Sequence, residues 1–158
     1  MTDSFEVYFD EMLKKIRTKN FKTDSFDFKD EKPSLGAVIS KNKVSAGAGI
    51  YIIYGEKDGQ KSLLYIGKSG TIHNDGKLGI QGINKRLKKI QNGIPRDRFF
   101  REVINGAHSC HCPLDKLRIE WFETYKNGVG TPPFLVEAQL LAQYLAENGS
   151  LPPLNKEA

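Results

Sequence analysis

The chain has 158 residues, 39% of them hydrophobic and 27% charged, which suits one globular domain large enough to bury a core without disulfides or structural metal. No apolar run approaches the ~20 residues needed to cross a bilayer, and the polar opening Met1-Thr2-Asp3-Ser4-Phe5-Glu6 argues against a secretory signal, so the expectation is a cytoplasmic protein with no membrane partner. A formal charge of +5 fits a polyanionic partner.

In chain order, Phe5, Phe9, Met12, Leu13 and Ile16 recur at helical spacing and predict an amphipathic helix over residues 4–18, with Ser4 as its N-cap. Residues 20–43 mix Phe21, Phe26 and Phe28 with Asp and Lys before reaching Pro33 and Gly36. They read as an irregular arm whose aromatics anchor it to its own domain, the competing reading being insertion beside DNA bases. Residues 49–54 and 63–67 read as two strands joined by a polar loop over 55–61. Next, 83–90 predicts a helix with Ile83, Leu87 and Ile90 on one side, and Pro95 opens another that carries Phe99, Phe100, Val103 and Ile104 and ends near Gly106. Residues 116–125 alternate Leu117, Ile119 and Trp121 with Arg118 and Glu120, a third strand. The last helix runs from Pro132 or Pro133 to Gly149 and is expected to bury Leu135, Ala138, Leu141, Tyr144 and Leu145. The expected class is α+β: a small three-stranded antiparallel sheet flanked by helices, with residues 1–45 as an N-terminal helix and arm packed on one compact domain over 46–158.

Charge is concentrated. Between residues 81 and 101 stand Lys85, Arg86, Lys88, Lys89, Arg96, Arg98 and Arg101 against Asp97 alone, either a solvated helix face or a surface that tracks phosphates. The two cysteines, Cys110 and Cys112, are too close for an unstrained disulfide and read as reduced thiols. His108-Ser109-Cys110-His111-Cys112 is too tightly spaced to surround one zinc ion and reads as a loop before the third strand, a Cys/His metal protein being the competing reading. Glu137 lies on the last helix among Phe134, Leu135, Val136, Ala138, Leu140 and Leu141. A carboxylate in such company needs a partner: a metal ion, an internal arginine or a place at the boundary of the apolar face.

Gly49-Ile50-Tyr51 and Tyr65-Ile66-Gly67 carry tyrosines fourteen residues apart on neighbouring predicted strands. With Lys68, Arg86 in Asn84-Lys85-Arg86-Leu87-Lys88, Glu137, and Asn155 in Pro152-Pro153-Leu154-Asn155, the order of residues from 49 to 155 resembles the GIY-YIG nuclease family. The resemblance implies the GIY-YIG fold and a Mg²⁺- or Mn²⁺-dependent endonuclease acting on double-stranded DNA, of a self-contained restriction, defence or mobile-element type, as a possible homodimer on DNA. It implies Tyr51 as the base for the attacking water, acting directly or through the metal's hydration shell, with Lys68 as the charge that favours its ionised form. Tyr65 is then a hydrogen-bonding partner of water or phosphate, Arg86 a fork on the phosphate oxygens, Glu137 the metal ligand, and Asn155 a support for Glu137 or the metal's water. Lys85, Lys88, Lys89, Arg96, Arg98, Arg101 and His73 are the expected nucleic-acid contacts. Two features depart from the family pattern: residues 69–81 form a longer link than in compact members, and Ile90 stands where many members place His or Tyr. His73 is the candidate to fill that helper role, against a reading as surface decoration. A nucleic-acid-binding module without catalysis is the alternative function.

Overall fold

The computed structural model describes residues 4–18, 20–77, 79, 82–108 and 113–156. The helix expected first is α1 (Ser4–Thr18). The arm after it is not irregular, for Thr23–Phe28 is a strand, β1, and Leu35–Lys41 a helix, α2, whose first turn is capped by the Ser34 hydroxyl accepting from the Ala37 N–H. Phe26 and Phe28 are buried, and the intervening Asp27 is paired by Lys116 at 2.9 Å and Arg118 at 3.5 Å from the neighbouring strand. Aspartate is depleted in strands, which hid this one, but at a sheet edge a charged, partnered residue is well tolerated.

Strands β2 (Ala48–Lys57) and β3 (Gln60–Ser69) form the central hairpin. The polar loop expected over 55–61 shrinks to Asp58-Gly59, both at positive φ (52° and 77°), the two-residue turn that matches strand twist. After β3 come a one-turn helix α3 (Ile83–Arg86), a ribbon of β4 (Ile90–Gln91) and β5 (Ile94–Pro95), and helix α4 (Arg96–Ile104). The helix expected over 83–90 therefore stops early, because Asn92-Gly93 at φ 53° and 78° closes a second tight turn and draws Ile90 into the ribbon, where it is 70% exposed rather than buried. Strand β6 (Lys116–Lys126), the short β7 (Val129–Gly130) and α5 (Pro133–Asn148) complete the chain, α5 ending on Gly149 at φ 71°.

The sheet is antiparallel and has five strands, not three: β1-β6-β2-β3, with β7 on β6. Both faces are covered. On one, α2, α3 and α4 pack Leu35, Ile83 and Phe99 against Tyr51, Ile53 and Trp121. On the other, α1 and α5 pack Phe9, Val136 and Leu140 against Ile50, Ile52 and Phe122. Of the inward face expected for α5, Leu141 is buried and Tyr144 half-buried, but Leu135, Ala138 and Leu145 are exposed and Val136 and Leu140 are buried in their place. It is apolar nearly all round, so periodicity alone does not choose its inward stripe. Among the described residues no helix is long and apolar enough to cross a membrane.

Candidate active site at the edge of β3

Alternation along β2 and β3 sets the geometry. Tyr51 lies opposite Gly67 and Tyr65 opposite Ile53, so both phenols project from the α3–α4 face. Their ring centroids are 5.9 Å apart and tilted by 30°. A Cβ at position 67 would run into Tyr51 Cζ and stand 2.5 Å from its hydroxyl, so the glycine is the bay in which the phenol rests. Gly49 serves a different approach: beside the irregular register at Ala48/Gly49, a Cβ there would meet the Phe122 carbonyl oxygen. Tyr51 is 0% exposed and its hydroxyl has no hydrogen-bond partner among the described residues. Tyr65 is half-buried; burial first, then the adjacent Tyr51, push its hydroxyl up to about 12, against the pull of Arg96.

Strand β3 is an edge strand, and part of its outer edge is taken by the segment after α5. Leu154 N–H donates to Leu64 O (2.9 Å), and the Asn155 amide both accepts from Ile66 N–H (3.0 Å) and donates to Ile66 O (2.9 Å). Asn155 thus imitates a neighbouring strand for the residue between Tyr65 and Gly67. Among the described residues its amide bonds Ile66 and not Glu137, one of the two partners expected for it, and so fixes the backbone that carries Tyr65.

Glu137 comes from α5 and is half-buried. Burial raises its pKa above the usual carboxylate range, and Lys68 and Arg86 pull it back down. Those two cations, one exposed on β3 and one half-buried at the end of α3, therefore share a neighbourhood with the carboxylate, which also acts on Tyr65. Glu137 itself closes no ion pair among the described residues. Tyr51, Tyr65, Lys68, Arg86 and Glu137, from β2, β3, α3 and α5, are brought together.

The expected DNA-contacting cations divide. Lys85, Lys88 and Lys89 are exposed around α3, and Arg98 is exposed with Glu102 at 3.4 Å. Arg101 is consumed by the fold: it pairs with Asp97 at 2.7 Å and Asp30 at 3.2 Å and donates to the Glu31 and Pro33 carbonyls, tying down the segment before α2. Arg96 is no surface contact either, being 3% exposed. Its guanidinium carbon lies 5.2 Å from the Tyr51 ring centroid and 5.5 Å from that of Tyr65. Nε donates to Gln91 Oε1 (3.0 Å) and Nη1 to the Arg86 carbonyl (2.9 Å). The cation against the phenols is thus Arg96, where Lys68 was expected. A signal for this was present: positions 96, 99, 100 and 103 follow the i, i+3, i+4, i+7 spacing of α4's buried stripe, with arginine in the first place.

His73 is exposed in a loop closed by His73 N–H to Lys77 O and Gly76 N–H to His73 O, both 2.9 Å. His108 stacks on Phe99 with centroids 4.4 Å apart and faces Glu102 at 3.6 Å, while Cys110, His111 and Cys112 lie outside the described residues. Among the described residues no three His, Cys, Asp or Glu side chains gather to hold a metal. The carboxylate that fits one is Glu137, alone and without an ion pair, which suits a hard cation that keeps most of its waters. No family model, curated protein or solved structure matches the chain.

Proposed function

We propose that the chain has the GIY-YIG fold and is a Mg²⁺- or Mn²⁺-dependent endonuclease that hydrolyses phosphodiesters of double-stranded DNA, of the self-contained restriction or defence type. The observation that carries this reading is the meeting of two phenols, two cations and one unpaired carboxylate at the edge of β3. Hydrolysis needs an activated water and positive charge where the phosphate oxygens gain negative charge, and the site offers groups for both. A divalent cation held by Glu137 would lower the pKa of its bound water and polarise the phosphate. Arg86 can place two parallel N–H donors on non-bridging oxygens, which lysine cannot do. Tyr65, with a hydroxyl pushed up to about 12, remains a phenol at neutral pH and orients the water or a phosphate oxygen by hydrogen bonding. Tyr51 lies against it, its ring centroid 5.9 Å away, and is the neighbour to which the Tyr65 hydroxyl can pass a hydrogen bond. Lys85, Lys88 and Lys89 extend the positive field along the flanking backbone, so binding weakens steeply with salt.

The test is incubation of supercoiled plasmid with Mg²⁺ and the full chain, beside Glu137→Ala and Tyr51→Phe. Nicking or linearisation by wild type, lost with chelator and in Glu137→Ala, is the expected result. Plasmid retention at low salt without metal-dependent cutting would reject the enzyme in favour of a binding module.

A further inference from the structure

Arginine is seldom fully buried unless a carboxylate accompanies it. The acid beside Arg96 in sequence, Asp97, is committed elsewhere: it accepts from Arg101 and from the Leu35 N–H. Arg96 is left with two neutral acceptors, Gln91 Oε1 and the Arg86 carbonyl, and with the faces of Tyr51, Tyr65 and Phe100, the last centred 5.9 Å away. No ion pair to it forms among the described residues. A permanently charged group is thus held in the interior without a counter-ion, a costly arrangement that an apolar side chain would avoid. Among the described residues the ionisable groups whose rings lie against it are Tyr51 and Tyr65, with Glu137 of α5 acting on Tyr65 in the opposite sense to Arg96. The same guanidinium donates directly to the carbonyl of Arg86, the residue assigned to the phosphate, and separately to Gln91 of the β4–β5 ribbon.

We propose that Arg96 is a positioning residue: it is the internal counter-charge of the Tyr51–Tyr65 pair, and it fixes the main chain from which Arg86 reaches the substrate. The inference rests on the nuclease reading for its consequence in catalysis, but its electrostatic half is measurable without any substrate. Arg96 already lowers the Tyr65 pKa against the effect of burial. Removing the cation therefore makes the phenol harder to ionise.

The experiment follows the Cζ resonances of ¹³C-labelled tyrosine from pH 7 upward in the full-length wild type, Arg96→Met and Arg96→Lys, with Tyr65→Phe to assign the signal. It is run beside plasmid cleavage in Mg²⁺ at neutral pH. In Arg96→Met the Tyr65 midpoint should move later by about one pH unit or more, the effect of losing an opposite charge at this range. Arg96→Lys keeps the charge and should restore most of the midpoint. Cleavage by Arg96→Met should lose roughly tenfold or more in kcat at neutral pH with KM for plasmid unchanged, because the main chain that carries Arg86 is no longer fixed. A Tyr65 midpoint identical in Arg96→Met and wild type, with native tryptophan fluorescence, overturns the counter-charge. Wild-type kcat in a folded Arg96→Met shows that Arg86 is held without it and overturns the positioning role. Should Arg96→Met not fold, the lysine variant decides: a wild-type midpoint with reduced kcat supports the proposal, and a displaced midpoint rejects it. If the midpoints move as stated but wild type cuts no plasmid, the nuclease reading falls and the counter-charge stands.

Discussion

Alternate residues of the same strands build two unlike faces. Ile50, Ile52 and Ile66 meet Phe5, Phe9 and Leu140 in an apolar cluster, whereas Tyr51 and Tyr65, one residue away in each case, meet a buried arginine. The tyrosine face carries a hydroxyl and an indole N–H, from Tyr51 and Trp121, without hydrogen-bond partners among the described residues. Such groups cost stability. The α1–α5 face, whose buried Thr124 hydroxyl is likewise without a partner among the described residues, supplies most of the apolar burial, and because side chains alternate with period two, one sheet serves both purposes.

The sharpest way to break this division is Gly67→Ala. The new methyl group would enter the space of the Tyr51 ring, which cannot retreat because Arg96 lies against it. Overpacking of this kind usually costs ~1–3 kcal/mol; with the struck atom held in place we expect about 4 kcal/mol, together with loss of cleavage. Urea unfolding followed by Trp121, the chain's single tryptophan and the β6 residue opposite Tyr51, reads the loss directly. An unchanged midpoint would mean that the phenol is free to move and that the site is not preorganised.

Phe9→Ala probes the other face. Phe9 is buried, its ring 5.6 Å from that of Phe122 and 6.2 Å from that of Phe5, and it touches none of the site residues. Truncation should cost about 3 kcal/mol through lost burial and the cavity left behind. Below the melting range, kcat on plasmid should stay within about twofold of wild type, since distant and independent sites add. A large fall in kcat with the fold intact would show that the faces are coupled after all.

How much of this was legible follows from the same division. The terminal helices and the paired tyrosine strands announce themselves, because one apolar stripe or one uninterrupted apolar run suffices to define each. The partners Arg86 and Glu137 were readable only through the order of the family's motif; nothing in their local composition places α3 and α5 at one edge of β3. Strand β1 was hidden by Asp24 and Asp27, tolerated because the strand is at an edge and, for Asp27, because Lys116 and Arg118 pair with it across the ladder, facts about the folded sheet. The short α3 was hidden because Asn92-Gly93, which signals a tight turn, was outweighed by the spacing of Ile83, Leu87 and Ile90. Arg96 was misread as one more surface cation because charge was counted along the chain, whereas its place in the α4 stripe was the informative quantity.

The smallest expected effect separates the faces most cleanly. Glu137 has its pKa raised in the folded state, chiefly by burial. Folding therefore favours its protonated form. Stability from this group is fully present below the ordinary carboxylate pKa and declines as pH rises through the folded value, above which the burial of the ionised form is borne in full. Glu137→Gln, which removes the charge and keeps the shape, should accordingly abolish cleavage yet make the protein modestly more stable at pH 7.5, with the gain vanishing toward pH 4. Adding Mg²⁺ at pH 7.5 should then raise the unfolding midpoint of wild type and not of the variant, since only a ligand bound by the native state stabilises it. A variant less stable than wild type at pH 7.5 would show that the carboxylate is already satisfied by Lys68 and Arg86, and that nothing is left for a metal to neutralise.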